Sequence, residues 1–193
     1  MPDGQTKKGL RDKAILELFY STGVRCDEMA RLTVDDVDHG NELLRVRYGK
    51  GARERVVPAG SLACAAVRAY LRGARTLWVA KRPDEGALWL AAIHPHQPMG
   101  KQAIAVMAKS YARAAGLERP GRTHLWRHTC ATHLVAAGAG IAIVQRLLGH
   151  QSLRTTQKYT RVFPNDVKKM HARLHPRAAV PASAVAPIPI TQR

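Results

Sequence analysis

The chain has 193 residues, 46% of them hydrophobic, which suits one domain with a real core. Its 31 Lys and Arg against 14 Asp and Glu leave a net charge of +17, a surplus that points to polyanionic partners, nucleic acid ahead of an anionic membrane surface. Cys26, Cys64 and Cys130 form no C-x-x-C pair, which argues against a disulfide framework or a cysteine-rich zinc site. The polar opening MPDGQTKKGLRDK has no apolar signal core, and stretches such as LACAAVRAYLRGARTLWVA are broken by arginine, so a cytoplasmic protein without membrane spans is expected.

Residues 1–8 form a polar lead. Over 9–21, Leu10, Ala14, Ile15, Leu18 and Phe19 fall on one helical stripe. Thr22-Gly23 stops that helix, and a short second one is expected from Arg25 to Leu32. Between 33 and 58 the pattern changes: LLRVRY alternates apolar and basic, RERVVP is rich in Val and Arg, and GKGA lies between them. That is a β-hairpin with a glycine turn. Residues 61–80 return to helical spacing, ALWLA could be a strand, and Pro95 and Pro98 mark a loop. Helices are expected over 100–115, 124–137, 141–148, 152–160 and 164–174, the last opening at Pro164-Asn165-Asp166. The end, RAAVPASAVAPIPITQR, is Pro/Ala-rich without periodicity and reads as a disordered tail over 179–193. The fold class is mostly α with a small antiparallel β-sheet, an α+β arrangement.

Four stretches carry candidate chemistry. In STGVRCDEMARL, Arg25 opens a helix just after Gly23, where backbone N–H groups favour anions; an ordinary solvated capping region explains it equally well. In YGKGARERVVP, Lys50 sits between two glycines at the hairpin tip, where it could reach a phosphate, donate a proton or simply be solvated. In THLWRHTCATHL, His124, Arg127 and His128 have i, i+3 and i+4 spacing on one helix face, with His133 further on. A proton carrier beside a bidentate clamp suits an oxyanion. A metal site is the competing reading, but arginine within the cluster repels a cation and the helix lacks a glutamate after the first histidine, so no metal is expected and His128 reads as structural. In LLGHQSLRTTQKYT, Gly149 fits a left-handed helix stop, His150 follows at a fixed angle, and Ser152 can cap a helix bearing Tyr159. That spacing can return the phenol to the cleft of His150. A lone surface tyrosine is a packing residue; with cations beside it, it can be a nucleophile.

Together and in this order, these stretches resemble the tyrosine recombinases, or phage-type integrases. The likeness runs from GLRDKAILELFYSTGVR through GKGARERVVP and THLWRHTCATHL to LLGHQSLRTTQKYT, and KKMHARLHPRA resembles the closing helix of the Xer-type members. It covers residues 9–178, which the resemblance implies are a catalytic domain. It implies that Tyr159 attacks the scissile phosphodiester to give a 3′-phosphotyrosyl adduct, that Arg25 and Arg127 hold the non-bridging oxygens and that Lys50 protonates the leaving 5′-oxygen. It further implies that His124 is the acid/base partner of the tyrosine and that His150 adds a hydrogen bond. No cofactor is implied, because the phosphotyrosyl bond conserves the energy of the broken diester. Double-stranded DNA is the implied partner, with a homo-tetramer in the synapse.

The sequence departs from the family pattern in two ways. Family members carry a helical core-binding domain ahead of the catalytic one, whereas eight residues precede the first helix here, so that domain is expected to be absent or supplied by another protein. Trp126 stands where leucine or phenylalanine is usual, a change a core can take. Two other readings compete with a recombinase domain: a type IB topoisomerase of similar chemistry, which the HPRA ending disfavours, and a non-catalytic DNA-binding remnant.

Overall fold

The fold was obtained as a computed structural model that describes residues 1–47, 54–79, 85–94, 97–116, 124–149, 171–173 and 175–176. The first helix, α1 (Lys7–Thr22), starts where the Thr6 hydroxyl accepts from the Gly9 amide at 3.0 Å. Of the expected stripe, Ala14, Ile15, Leu18 and Phe19 are fully buried, and Leu10 is partly buried against the same core. The helix is not one-sided, however, for Arg11, Asp12, Glu17, Ser21 and Thr22 are buried too. α1 is a central helix, with α3 (Gly60–Tyr70) and α6 (His124–Ala136) packed against it. Burying charge at that position requires partners. Asp12 accepts from Lys8 at 3.0 Å, from Arg11 and from the Tyr111 hydroxyl at 3.1 Å, while Arg11 also donates to the Leu90 carbonyl at 2.8 Å.

The sheet has three antiparallel strands in the order β1 (Val37–Asp38), β2 (Leu43–Val46), β3 (Arg55–Pro58). β2 and β3 are the two legs of the expected hairpin, with Leu44 opposite Val57 and Val46 opposite Arg55. Alternation along β2 buries Leu44 and Val46 and exposes Arg45. β1 adds an edge strand that alternation could not reveal in two residues. The hairpin tip, including Lys50, lies outside the described residues.

The helical stretch after the sheet is α3, a π-helical turn (Leu71–Arg75) and α4 (Thr76–Val79) in succession. The ALWLA run is not a strand: Ala87 and Leu90 make isolated bridges to Thr33 and Pro98. Its apolar character comes from burial instead, since Leu88, Trp89 and Leu90 enter the core and Trp89 stacks on Tyr70 at 5.5 Å. The remaining elements are α2 (Cys26–Ala30), α5 (Lys101–Ala114), which packs on α2, and α7 (Ile141–Leu148), which packs on α6. Trp126 is buried in the core, as a swap for leucine or phenylalanine requires.

Near the end of the chain, His171 and His175 stack at 4.6 Å. Their Nε2 atoms lie 2.9 and 3.2 Å from the carbonyl oxygens of Ser21 and Tyr20, so this segment docks on the last turn of α1. The helix expected over 152–160, most of that over 164–174 and the tail over 179–193 fall outside the described residues. Among the described residues, no helix is long and apolar enough to cross a membrane.

Candidate active site

Two glycines shape the site. Gly23 ends α1 with φ 61°, and its amide bonds to the Phe19 carbonyl. A Cβ there would meet Leu148 Cδ2 at 2.5 Å, a side-chain tip that would have to shift, and the left-handed backbone itself selects glycine. Gly149 ends α7 with φ 66°. The expectation of a left-handed stop before His150 is met.

Arg25 follows the first of these turns and is the N-cap of α2, with extended backbone at φ −75° and ψ 157°. It does not point freely outward. Its amide donates to Glu28 Oε2 at 2.8 Å, its Nη1 to Glu28 Oε1 at 3.0 Å and its Nη2 to the Gly149 carbonyl at 3.2 Å. Arg127, on α6, is buried and bridges the two turns: Nη1 donates to the Gly23 carbonyl at 2.8 Å and Nη2 to the Leu148 carbonyl at 2.5 Å. The two arginines singled out in the sequence thus meet at the end of α7.

A third guanidinium and a carboxylate, neither singled out in the sequence, complete the group. Arg55, at the start of β3, forms a two-pronged pair with Glu28, each prong 2.8 Å long, and its Nε reaches the Leu147 carbonyl at 3.4 Å. Three consecutive carbonyls, those of Leu147, Leu148 and Gly149, therefore each accept from a different arginine. These are the carbonyls that an α-helix leaves without intrahelical donors, at the negative end of its dipole. Glutamate at the third position of a short helix is a sequence signal for capping, and could have flagged Glu28. Arg55 carries no comparable local signal, because its partners are 27 and 92 residues away.

The electrostatics follow from this packing. Burial alone would raise the Glu28 pKa, but the hydrogen bonds from Arg55 and the Arg25 amide, with the charges around them, bring it down to about 2. Glu28 is thus a fixed anion. Burial, then the charge of Arg25, lowers Arg127 to about 10, against an opposing pull from Glu28. Three guanidiniums share one carboxylate, which leaves two positive charges uncompensated within the group. An oxyanion held between Arg25 and Arg127 would meet both.

His124 is the first residue of α6, one turn before Arg127. His128 is exposed rather than structural, while Arg127 beside it turns inward, so the two do not share an environment. His133 does not extend the cluster either: its Nδ1 lies 2.7 Å from the Tyr20 hydroxyl. Lys50, His150 and Tyr159 lie outside the described residues. Among the described residues, no group of three or more His, Cys, Asp or Glu side chains could hold a metal ion.

This arrangement of helices and a small sheet has counterparts among solved structures. A crystal structure of XerA recombinase superposes with a TM-score of 0.66 at 30% identity, over 87% of this chain and 59% of that one. The integrase from mycobacterium phage Brujita gives 0.64 at 27% identity, over 86% of this chain and 52% of its own. The model of the phage integrase family matches residues 3–166, and the chain belongs to that family. Among its relatives, tyrosine recombinase XerC 2 of Ralstonia nicotianae is 45% identical over 175 residues, which are 90% of this chain and 49% of the relative. Tyrosine recombinase XerD of Bifidobacterium longum is 40% identical over 173 residues, 88% of this chain and 55% of the relative. The chain thus spans about half the length of these curated relatives.

Proposed function

We propose that residues 9–178 are the catalytic domain of a site-specific tyrosine recombinase, which cuts and rejoins double-stranded DNA through a 3′-phosphotyrosyl intermediate. The observation that carries this reading is the convergence of Arg25 and Arg127 at the end of α7, with two positive charges left over after Glu28 is paired. The sequence runs directly from that helix end through His150 to Tyr159.

In the proposed reaction the Tyr159 oxygen attacks the scissile phosphorus and its proton passes to His124. The bond from phosphorus to the 5′-oxygen breaks, and Lys50 supplies the proton that leaves with that oxygen as a 5′-hydroxyl. Arg25 and Arg127 stabilise the charge that gathers on the non-bridging oxygens, and His150 adds a hydrogen bond to them. A phenol has a pKa of about 10, so a base and nearby cations are needed for attack near neutral pH. The step reverses when a 5′-hydroxyl from another strand attacks the adduct, and that exchange is recombination. Four copies on two duplexes form the synapse in this reading, and a second DNA-binding module beyond residues 9–178 completes the grip on each duplex.

The test is a plasmid assay with two supercoiled substrates carrying candidate sites. A recombinase domain joined to such a module exchanges strands between sites. Relaxation of supercoils without exchange indicates a topoisomerase, and absence of any strand breakage indicates a DNA-binding protein only.

A further inference from the structure

We propose that Arg55 is a positioning residue for strand cleavage: its fork fixes the Glu28 carboxylate that aims Arg25, and its stem seats the turn at Gly149 where the chain leaves α7. This rests on the proposed reaction and adds a residue to it.

Arg55 differs from its two arginine neighbours in how its charge is met. Both outer nitrogens go to Glu28 at 2.8 Å, one to each carboxylate oxygen. Arg25, by contrast, gives Glu28 one side-chain bond at 3.0 Å and turns its other outer nitrogen to the Gly149 carbonyl. Arg127 bonds to carbonyls at both outer nitrogens. Arg55 therefore has its charge spent, and the other two guanidiniums keep theirs for an anion. Without Arg55, nothing fixes the direction of the Glu28 carboxylate, so the Arg25 guanidinium it holds keeps its charge beside the phosphate but loses its aim.

The second contact is steric. A Cβ on Gly149 would lie 3.1 Å from Arg55 Nε and 3.2 Å from its Cδ and Cζ, so the Arg55 stem lies directly against this turn. Its Nε points at the Leu147 carbonyl two residues earlier. One side chain from the hairpin thus touches α2 through Glu28 and the end of α7 through Leu147 and Gly149. Catalytic rate depends steeply on such placement: about 1 Å of error can cost on the order of 10²-fold.

The test compares wild type, Arg55→Gln and Arg55→Lys in single-turnover cleavage of a nicked duplex at saturating protein, beside binding isotherms over a salt series and thermal melts. Wild-type cleavage is the control for the proposed reaction, so its absence counts against that reaction and not against Arg55 specifically. Arg55→Gln is expected to cleave about 10²-fold more slowly, with DNA affinity within about twofold and the salt slope unchanged, because a spent charge releases no counterions. Arg55→Lys keeps the charge but loses the fork, and is expected to recover about tenfold of that rate. If Arg55→Gln does not fold, the lysine variant decides the matter by the same split between rate and affinity. A cleavage rate equal to wild type overturns the proposal. So does a loss of affinity with a salt slope lower by about one, the sign of a direct phosphate contact.

Discussion

Arg127 joins the end of α1 to the end of α7, donating to the Gly23 carbonyl at 2.8 Å and to the Leu148 carbonyl at 2.5 Å. The two acceptors are helix-terminal carbonyls, so the same guanidinium that faces the proposed phosphate also holds two elements together. Arg127→Lys keeps the charge but cannot span both carbonyls. It is expected to lose about 2 kcal/mol, one hydrogen bond to a charged group, which lowers the melting midpoint by about 4–8 °C in a chain of this size. Cleavage should fail as well. An unchanged midpoint would show that the bridge contributes little.

Glu28 sets the response to acid. Its pKa falls from an ordinary 4.5 to about 2 because the bonds from Arg55 and Arg25 outweigh the cost of burial. A carboxylate lowered in this way stabilises the fold fully above its unfolded pKa and loses that contribution as the pH falls through the folded one. The side chain is fully buried, so the contribution at neutral pH is on the order of 3 kcal/mol. Urea titrations of wild type should show this loss between pH 4.5 and about 2. Glu28→Gln should be less stable at pH 7 and flatter across that range. Parallel acid profiles for the two proteins would contradict the assignment.

How far the sequence revealed this site depends on how local each signal is. Gly23 and Gly149 stop helices, and both are visible because a left-handed residue leaves a mark at its own position. Arg25 stands out at a helix start and Arg127 on a helix face, the resemblance adds their roles, and the fold brings them to one place. Arg55 was hidden in a Val/Arg-rich strand, since its role depends on contacts far away in the chain. Helix spacing at Arg127 and His128 gives direction around a helix but not what lies opposite. What lies opposite Arg127 is α1 and α7, whereas His128 meets solvent. ALWLA failed as a strand because a short apolar run signals burial and only sometimes pairing.

Lys50 is the proposed proton donor to the leaving oxygen. Lys50→Ala should cleave normal DNA slowly and be rescued by a substrate with sulfur at the 5′-bridging position, because a thiolate departs without a proton. If sulfur gives no rescue, Lys50 is a phosphate contact or plays no part.

The net charge of +17 predicts how this chain binds DNA by itself. The chain spans about half the length of its relatives, and in the proposed reading residues 9–178 alone make fewer base contacts than the domain joined to a second DNA-binding module. Binding isotherms on unrelated duplexes should show weak, sequence-tolerant affinity that falls steeply with salt, by about 10³–10⁵ from low to moderate salt if six to ten phosphates are contacted. Tight, sequence-selective binding at physiological salt would show that this portion is sufficient for recognition.

Covalent capture tests the central claim most directly. Incubated with a nicked duplex, the wild-type chain is expected to give an SDS-stable protein–DNA adduct whose yield EDTA leaves unchanged, because arginines stabilise the phosphate charge. Tyr159→Phe, lacking the attacking oxygen, should give none. An adduct that persists in Tyr159→Phe, or one that requires Mg²⁺, would contradict tyrosine-mediated cleavage by this chain.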